Sequence, residues 1–223
     1  MYEGARGSID GSHGTDRLND QSGRSTLTVT GNQTGRLDGV DYRGFEDVNL
    51  GSENDTANVE NGAGGSIDGS HGTDTLNDQS GRSHLTVTST NKGTLDGVSY
   101  EGFEQVNLGG DVDTATLSSN VTSLNMGRGD DVATLKDRAD GLIDGSHGHD
   151  TLNDQSGRSH LNATSTNKGT LDGVEYQGFE QVNLGDDVDT ATLSSNVTSL
   201  NMGSGNDVAT LKDGADGFID GSH

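Results

Sequence analysis

The chain has no cysteine, no proline and no tryptophan among its 223 residues. Without cysteine there is no disulfide framework and no thiolate metal site. Freedom from proline suits an unbroken stack of hydrogen-bonded strands, because proline removes a ladder donor. Aromatics make up only 4% of residues, and Leu, Ile, Val and Phe together about a fifth. That borders on the composition of disordered chains: too little for a broad core, enough for a thin apolar seam. Basic residues are scarce too, with 13 Lys and Arg against 36 Asp and Glu and a formal charge of −23. Nucleic acid and anionic lipid both need a basic surface, so cations are the expected partners instead. No apolar run approaches the ~18 residues of a membrane span, so no membrane insertion is expected. No signal peptide is visible at Met1.

What the chain does have is glycine and repetition. Gly69-Ser70-His71-Gly72-Thr73-Asp74-Thr75-Leu76-Asn77 recurs as Gly11 to Asn19 and as Gly145 to Asn153, and a further copy begins at Gly221. Each copy reads as a tight turn followed by a short strand, with glycines taking backbone angles that other residues resist. The copies start 58, 76 and 76 residues apart, and both spacings resolve into steps of 18 and 22 residues. Long periods of this kind mark repeat architectures. In this frame turns begin at Val29, Gly51, Gly69, Val87, Gly109, Gly127, Gly145, Ala163, Gly185, Gly203 and Gly221. Segments such as Thr26-Leu27-Thr28-Val29-Thr30 alternate strictly, as half-buried strands do, and no segment has a helical period. The expectation is an all-β chain: a right-handed parallel β-solenoid of about twelve coils. Its coils have 18 residues, and three 22-residue coils carry a loop insertion. The whole of 1–223 reads as one array, with repeats at 9–66, 67–142 and 143–218 and the start of another at 219–223. Because the chain stops inside a repeat, a piece of a longer protein is expected.

The turns carry the chemistry. Asp16, Asp55, Asp74, Asp113, Asp131, Asp150, Asp189 and Asp207 occupy one fixed position at the turn exits. Residues one coil apart stack at about 4.8 Å in a solenoid. Carboxylates repeated at that distance repel unless a cation lies between them. A hard divalent ion takes six to eight oxygens, and two adjacent turns offer carboxylates plus glycine-flanked carbonyls, which favours calcium over zinc. The expected metal-binding set is therefore those eight Asp together with Gly109, Asp111, Gly127, Gly129, Asp130, Gly145, Gly148, Gly185, Asp187, Gly203 and Gly205. Same-side acidic turns fall into groups at Gly51/Gly69, Gly109/Gly127/Gly145 and Gly185/Gly203/Gly221. Acid-free turns at Val29, Val87 and Ala163 interrupt the row, and the acids are expected to line mainly one side.

The stretch Gly69 to Asn77 resembles the nonapeptide GGxGxDxUx of the repeats-in-toxin (RTX, haemolysin-type calcium-binding) family, with Ser70 in place of the second glycine. The resemblance implies a parallel β-roll with several calcium ions held between turns of consecutive coils. It also implies a secreted or cell-surface bacterial protein, because calcium is abundant outside cells. The function so implied is a calcium-stabilised structural spacer or display module of an adhesin or similar large protein.

Three segments, 38–47, 96–105 and 172–181, share Gly-Val-x-Tyr-x-Gly-Phe and read as long loops. Their Phe residues are expected to plug the seam, with Tyr42, Tyr100 and Tyr176 flanking it and keeping their hydroxyls wet. The competing reading makes these loops, or the Thr-rich faces, a direct binding module for a cell surface, a glycan or ice. An accessory module of a secreted toxin or enzyme is the third reading. No catalytic constellation recurs, so the chain is not expected to be an enzyme, and on its own it is expected to be a monomer.

Overall fold

The structure is a computed structural model that describes residues 6–136 and 139–221. Ser222 and His223, which end the last partial repeat, lie outside the described residues. The described residues form twenty-six short strands and no helix. They assemble into two sheets of 14 and 12 strands, mostly parallel, lying face to face around one narrow seam.

Local chemistry explains the strands. Thr114–Leu117, Val132–Leu135 and Thr190–Leu193 each alternate half-buried and buried positions. The inward residues are small or branched: Ala115 and Leu117 stack on Ala133 and Leu135 in register. Leu76, Val106, Leu124 and Ile143 stack likewise in the other sheet. The seam runs unbroken from Leu18 to Met202, so burial in one coil supports the next. The outermost strands, Val208–Leu211 and Phe218–Asp220, leave Val208, Leu211 and Phe218 more than half exposed, since no strand stacks on them.

The segments expected to be loop insertions are not loops. Val40–Arg43, Val98–Glu101 and Val174–Gln177 are strands. Each closes a three-stranded antiparallel meander, for example His84–Ser89, Lys92–Leu95 and Val98–Glu101. The positions expected to be acid-free turns, Val29, Val87 and Ala163, lie inside the first strand of each meander. Two tight turns build each meander. One centres on Gln33, Asn91 or Asn167 in the left-handed region, and the other is an Asp-Gly pair. Asp96 and Gly97, at φ of 49° and 90°, have the two positive angles of a type I′ hairpin.

The meanders alternate between sheets. The first and third insert their extra strands into the 14-stranded sheet, the second into the 12-stranded one. Turns stacked across a meander are therefore 30 residues apart in sequence rather than 18.

The aromatic residues belong to this device. Tyr42, Tyr100 and Tyr176 pair across the meander with Gly35, Gly93 and Gly169. Each Tyr also meets its Phe edge to face at 6.3–6.4 Å. Phe103 and Phe179 are fully buried, as expected of plugs, whereas Phe45 is only partly covered. The Tyr residues are buried too, which corrects the expectation of wet hydroxyls. Nothing in the protein bonds the Tyr100 and Tyr176 hydroxyls. Burying a hydroxyl without a partner costs about 1–3 kcal/mol. Tyr100→Phe is therefore expected to stabilise the fold by about 1 kcal/mol, read as a higher midpoint in a thermal melt. A lower midpoint would show that the hydroxyl is bonded.

Candidate cation-binding ladders

The acidic turns are built so that each one holds the next. The backbone N–H of Asp113 donates to Oδ1 of Asp131 at 2.7 Å, and that of Asp131 donates to Oδ1 of Asp150 at 2.8 Å. Asp55 donates to Asp74 at 2.7 Å, and Asp189 to Asp207 at 2.9 Å. The expected groupings of acidic turns are thus directly bonded ladders, apart from the turn begun at Gly221, which runs outside the described residues.

They do not share one side. The turns at Asp16, Asp113, Asp131 and Asp150 lead from the 14-stranded sheet to the 12-stranded one, whereas those at Asp55, Asp74, Asp189 and Asp207 lead back. Main-stack strands within a sheet run parallel, so these two directions lie on opposite edges. The expectation of one acidic side is corrected: each meander leaves the chain half a coil out of phase, and the acids cross to the other edge.

Three serine heads and three Glu tails make contacts with the acidic turns that sequence reasoning missed. At the head, a serine takes the place of the fixed Asp. The N–H of Ser25, Ser83 and Ser159 donates to Oδ1 of Asp55, Asp113 and Asp189 at 2.6–2.7 Å. At the tail, a Glu reaches in from the meander exit. Glu46, Glu104 and Glu180 accept from the N–H of Asp16, Asp74 and Asp150 at 2.7–2.9 Å. The other oxygens of Glu104 and Glu180 bond the Asn91 and Asn167 side chains. The signal was present in sequence as Gly-Phe-Glu after each meander and as Asp-Gln-Ser-Gly-Arg-Ser before it. Asp16 meets only the tail residue Glu46, so it is not brought together with another of the predicted Asp residues.

With Oδ1 of Asp55, Asp74, Asp113, Asp131, Asp150, Asp189 and Asp207 engaged, Oδ2 is left over. All eight fixed Asp residues, Asp16, Asp55, Asp74, Asp113, Asp131, Asp150, Asp189 and Asp207, bury Oδ2 with no hydrogen-bond partner in the protein. Five of them, Asp74, Asp113, Asp131, Asp150 and Asp189, have no exposed surface at all. Native proteins rarely leave a buried carboxylate oxygen so, because the desolvation cost goes unanswered. Burial pushes the carboxyls of Asp55, Asp113, Asp131 and Asp150 up to about 6, despite the opposing backbone hydrogen bonds; neighbouring carboxylates add to the rise. Asp74 and Asp189 move up for the same first reason.

Glycines shape the space between rungs. Gly129 and Gly148 sit at φ of 140° and 153°, and Gly127, Gly203 and Gly205 are also left-handed, whereas Gly109, Gly145 and Gly185 are not. A β-carbon on Gly129 would overlap the Asp111 carbonyl oxygen, and one on Gly148 the carbonyl oxygen of Gly129. One on Gly205 would overlap the carbonyl oxygen of Asp187. Carbonyl oxygens of one turn therefore aim at the next, beside its Asp. Asp111, Asp130 and Asp187 carry exposed side chains, and Asp130 accepts the N–H of His149 at 2.9 Å. No group of three or more acidic or histidine side chains capable of holding a metal occurs among the described residues. Any ion between rungs must take carbonyl oxygens along with carboxylates, a donor set that suits a hard cation.

The shifted carboxyls make a prediction about pH. Their neutral form is favoured in the folded state, so without cations the fold binds more protons than the unfolded chain between about 4 and about 6. Stability then falls as pH rises through that window. A cation needs the ionised form, so a cation-loaded chain should show the reverse, weakening as pH drops below about 6. The β-sheet circular dichroism signal in chelator should therefore be larger at pH 4.5 than at pH 7.5, and in calcium the thermal midpoint should be lower at pH 4.5 than at pH 7.5. The same order of pH values in both would remove these carboxyls as the titrating groups.

No family model, curated protein or solved structure matches this chain.

Proposed function

We propose that the chain is a calcium-binding segment whose β-roll is held together by ions between the rungs of its acidic ladders. On this reading it resembles the RTX repeats, winds right-handed through about twelve coils, and serves as an extracellular spacer or display module of a bacterial surface protein. The observation that carries the reading is the set of eight buried, unpartnered Asp Oδ2 atoms, with carbonyls of a neighbouring turn aimed at the glycines beside Asp74, Asp131, Asp150 and Asp207. Oxygen-only donors, a thin seam and a charge of −23 all favour calcium. The ladder Asp residues would supply carboxylate oxygens, and the residues at the Gly129 and Asp111 positions would supply carbonyls. The bound ion would supply the positive charge that lets stacked carboxylates stay ionised.

The aromatic residues favour a structural role over recognition, because Tyr42, Tyr100, Tyr176, Phe103 and Phe179 are buried. A glycan or cell-surface partner would have to read the exposed polar strand faces instead. Metal analysis of the purified chain after dialysis against calcium tests the proposal. Several calcium ions per chain are expected, reduced in Asp131→Asn. A chain that retains no calcium would overturn it.

A further inference from the structure

Each ladder starts with a gap that the nonapeptide pattern does not describe. In the second ladder this gap lies between the turn Asp78 to Ser83 and the turn Gly109 to Asp113. Ser83 fills the fixed Asp position, so one carboxylate of an ordinary rung pair is missing. The Asp113 carboxyl nonetheless sits in this gap, since its Oδ1 takes the Ser83 N–H at 2.6 Å. The Asp113 residue is wholly buried and its Oδ2 has no partner.

Two other acids flank the same gap, without closing with Asp113 into a three-carboxylate cluster. Asp78 is buried, its Oδ1 accepting from the Ser80 N–H at 2.9 Å and its Oδ2 from the Ser83 hydroxyl. A β-carbon on Gly109 would stand 3.5 Å from Asp78 Oδ2 and 3.6 Å from the Gly81 carbonyl oxygen. Asp111 reaches back from the far turn, its Oδ2 3.2 Å from where a β-carbon on Gly81 would be. The charge of Asp78 adds to the upward shift of Asp113, as expected of neighbours.

The third ladder repeats the construction with Asp154, Asp187 and Asp189. The Ser159 N–H donates to Asp189 Oδ1 at 2.7 Å, and Ser159 Oγ to Asp154 Oδ2 at 2.6 Å. Asp187 Oδ2 lies 3.5 Å from the β-carbon position of Gly157. Asp189 is wholly buried with Oδ2 unpartnered. Here the gap opens to a cleft of about 620 Å³, lined by Asp154, Gly157, Asn183, Gly185, Asp186 and Asp187.

The acids at the third turn position are confined to ladder heads. Glu53, Asp111 and Asp187 stand there, whereas the next rungs carry Gly129 and Gly205 at that place. A carboxylate lost to serine is thus replaced by one from each flanking turn.

We propose that the ladder heads are a second class of calcium site, formed by Asp78, Asp111 and Asp113 and, one repeat later, by Asp154, Asp187 and Asp189. This rests on the reading that the ladders bind calcium, and it adds sites that the nonapeptide alone does not mark. The open cleft leaves room for water on the ion, so these sites bind more weakly than the gaps between two Asp rungs.

Equilibrium dialysis and calorimetric titration with calcium test the proposal on the full chain. In D111N/D187N, whose altered side chains are exposed, each altered head should lose its ion or bind it roughly tenfold more weakly or worse. The ions between Asp rungs should be retained at wild-type affinity. D78N/D154N should show the same loss from the buried side of the gap; if it does not fold, D111N/D187N still decides. Unchanged calcium number and affinity in D111N/D187N overturns the head sites and leaves the ladder reading intact. Wild-type protein that binds no calcium overturns the ladder reading first, and the head sites with it.

Discussion

Placed in chelator at neutral pH, the protein is expected to lose its β-sheet circular dichroism spectrum, and millimolar calcium is expected to restore it. The physical reason lies in two deficits that one ion corrects together. Leu, Ile, Val and Phe amount to about a fifth of the chain, so the seam has little energy to spare above the cost of ordering the backbone. The ladders then add eight buried carboxylate oxygens without partners. Asp131 lies within reach of both Asp130 and Asp150, and such neighbours repel when ionised. Calcium would bind only the folded arrangement, because no unfolded segment brings two turns together, so its binding energy would add to folding energy. A full β spectrum in chelator, unmoved by calcium, would sink the idea that ions hold the ladders.

The second large effect should come from a glycine outside the acidic turns. Gly93→Val is expected to destabilise the calcium-loaded protein by about 3 kcal/mol or more, or to prevent folding. Gly93 pairs with Tyr100 across the second meander, and a β-carbon there would overlap the Thr86 carbonyl oxygen. That oxygen belongs to the adjacent strand, so it cannot move aside without opening the ladder. In the first meander the matching position, Gly35, has the Tyr42 ring 2.7 Å from where a β-carbon would be. Gly97→Val provides the comparison: its φ of +90° strains any side chain, but nothing lies within 4 Å of its β-carbon position. Chemical denaturation of both variants in saturating calcium separates packing from backbone strain. Equal midpoints for the two would show that the meander is not tightly closed around Tyr100.

Much of the site was legible because its signals are local. The eight fixed Asp residues stand in a single turn pattern, and all eight proved to carry the orphaned oxygen. Their grouping followed from the spacing alone, and Asp55 with Asp74, Asp113 with Asp131 and Asp150, and Asp189 with Asp207 are bonded as those groups require. The Asp-Gly pairs at Asp38, Asp96 and Asp172 announced hairpins by the same kind of local chemistry. They were overlooked because an 18-residue frame absorbed the strands around them as coil and loop.

Strand alternation, glycine-bounded turns, the absence of helix and the oxygen-rich, thiolate-free donor set were determined by the amino-acid sequence alone. Each depends on residues within one turn of chain. Only the tertiary structure decided that three antiparallel meanders interrupt the parallel stack, that Tyr100 and Tyr176 go inside, and that the acids cross from edge to edge. It alone joined Ser83 to Asp113 and Glu104 to Asp74, each pair 30 residues apart. The reason is that stacking partners are chosen by which sheet receives each meander, and a repeat period written in one dimension does not say on which edge a turn will emerge.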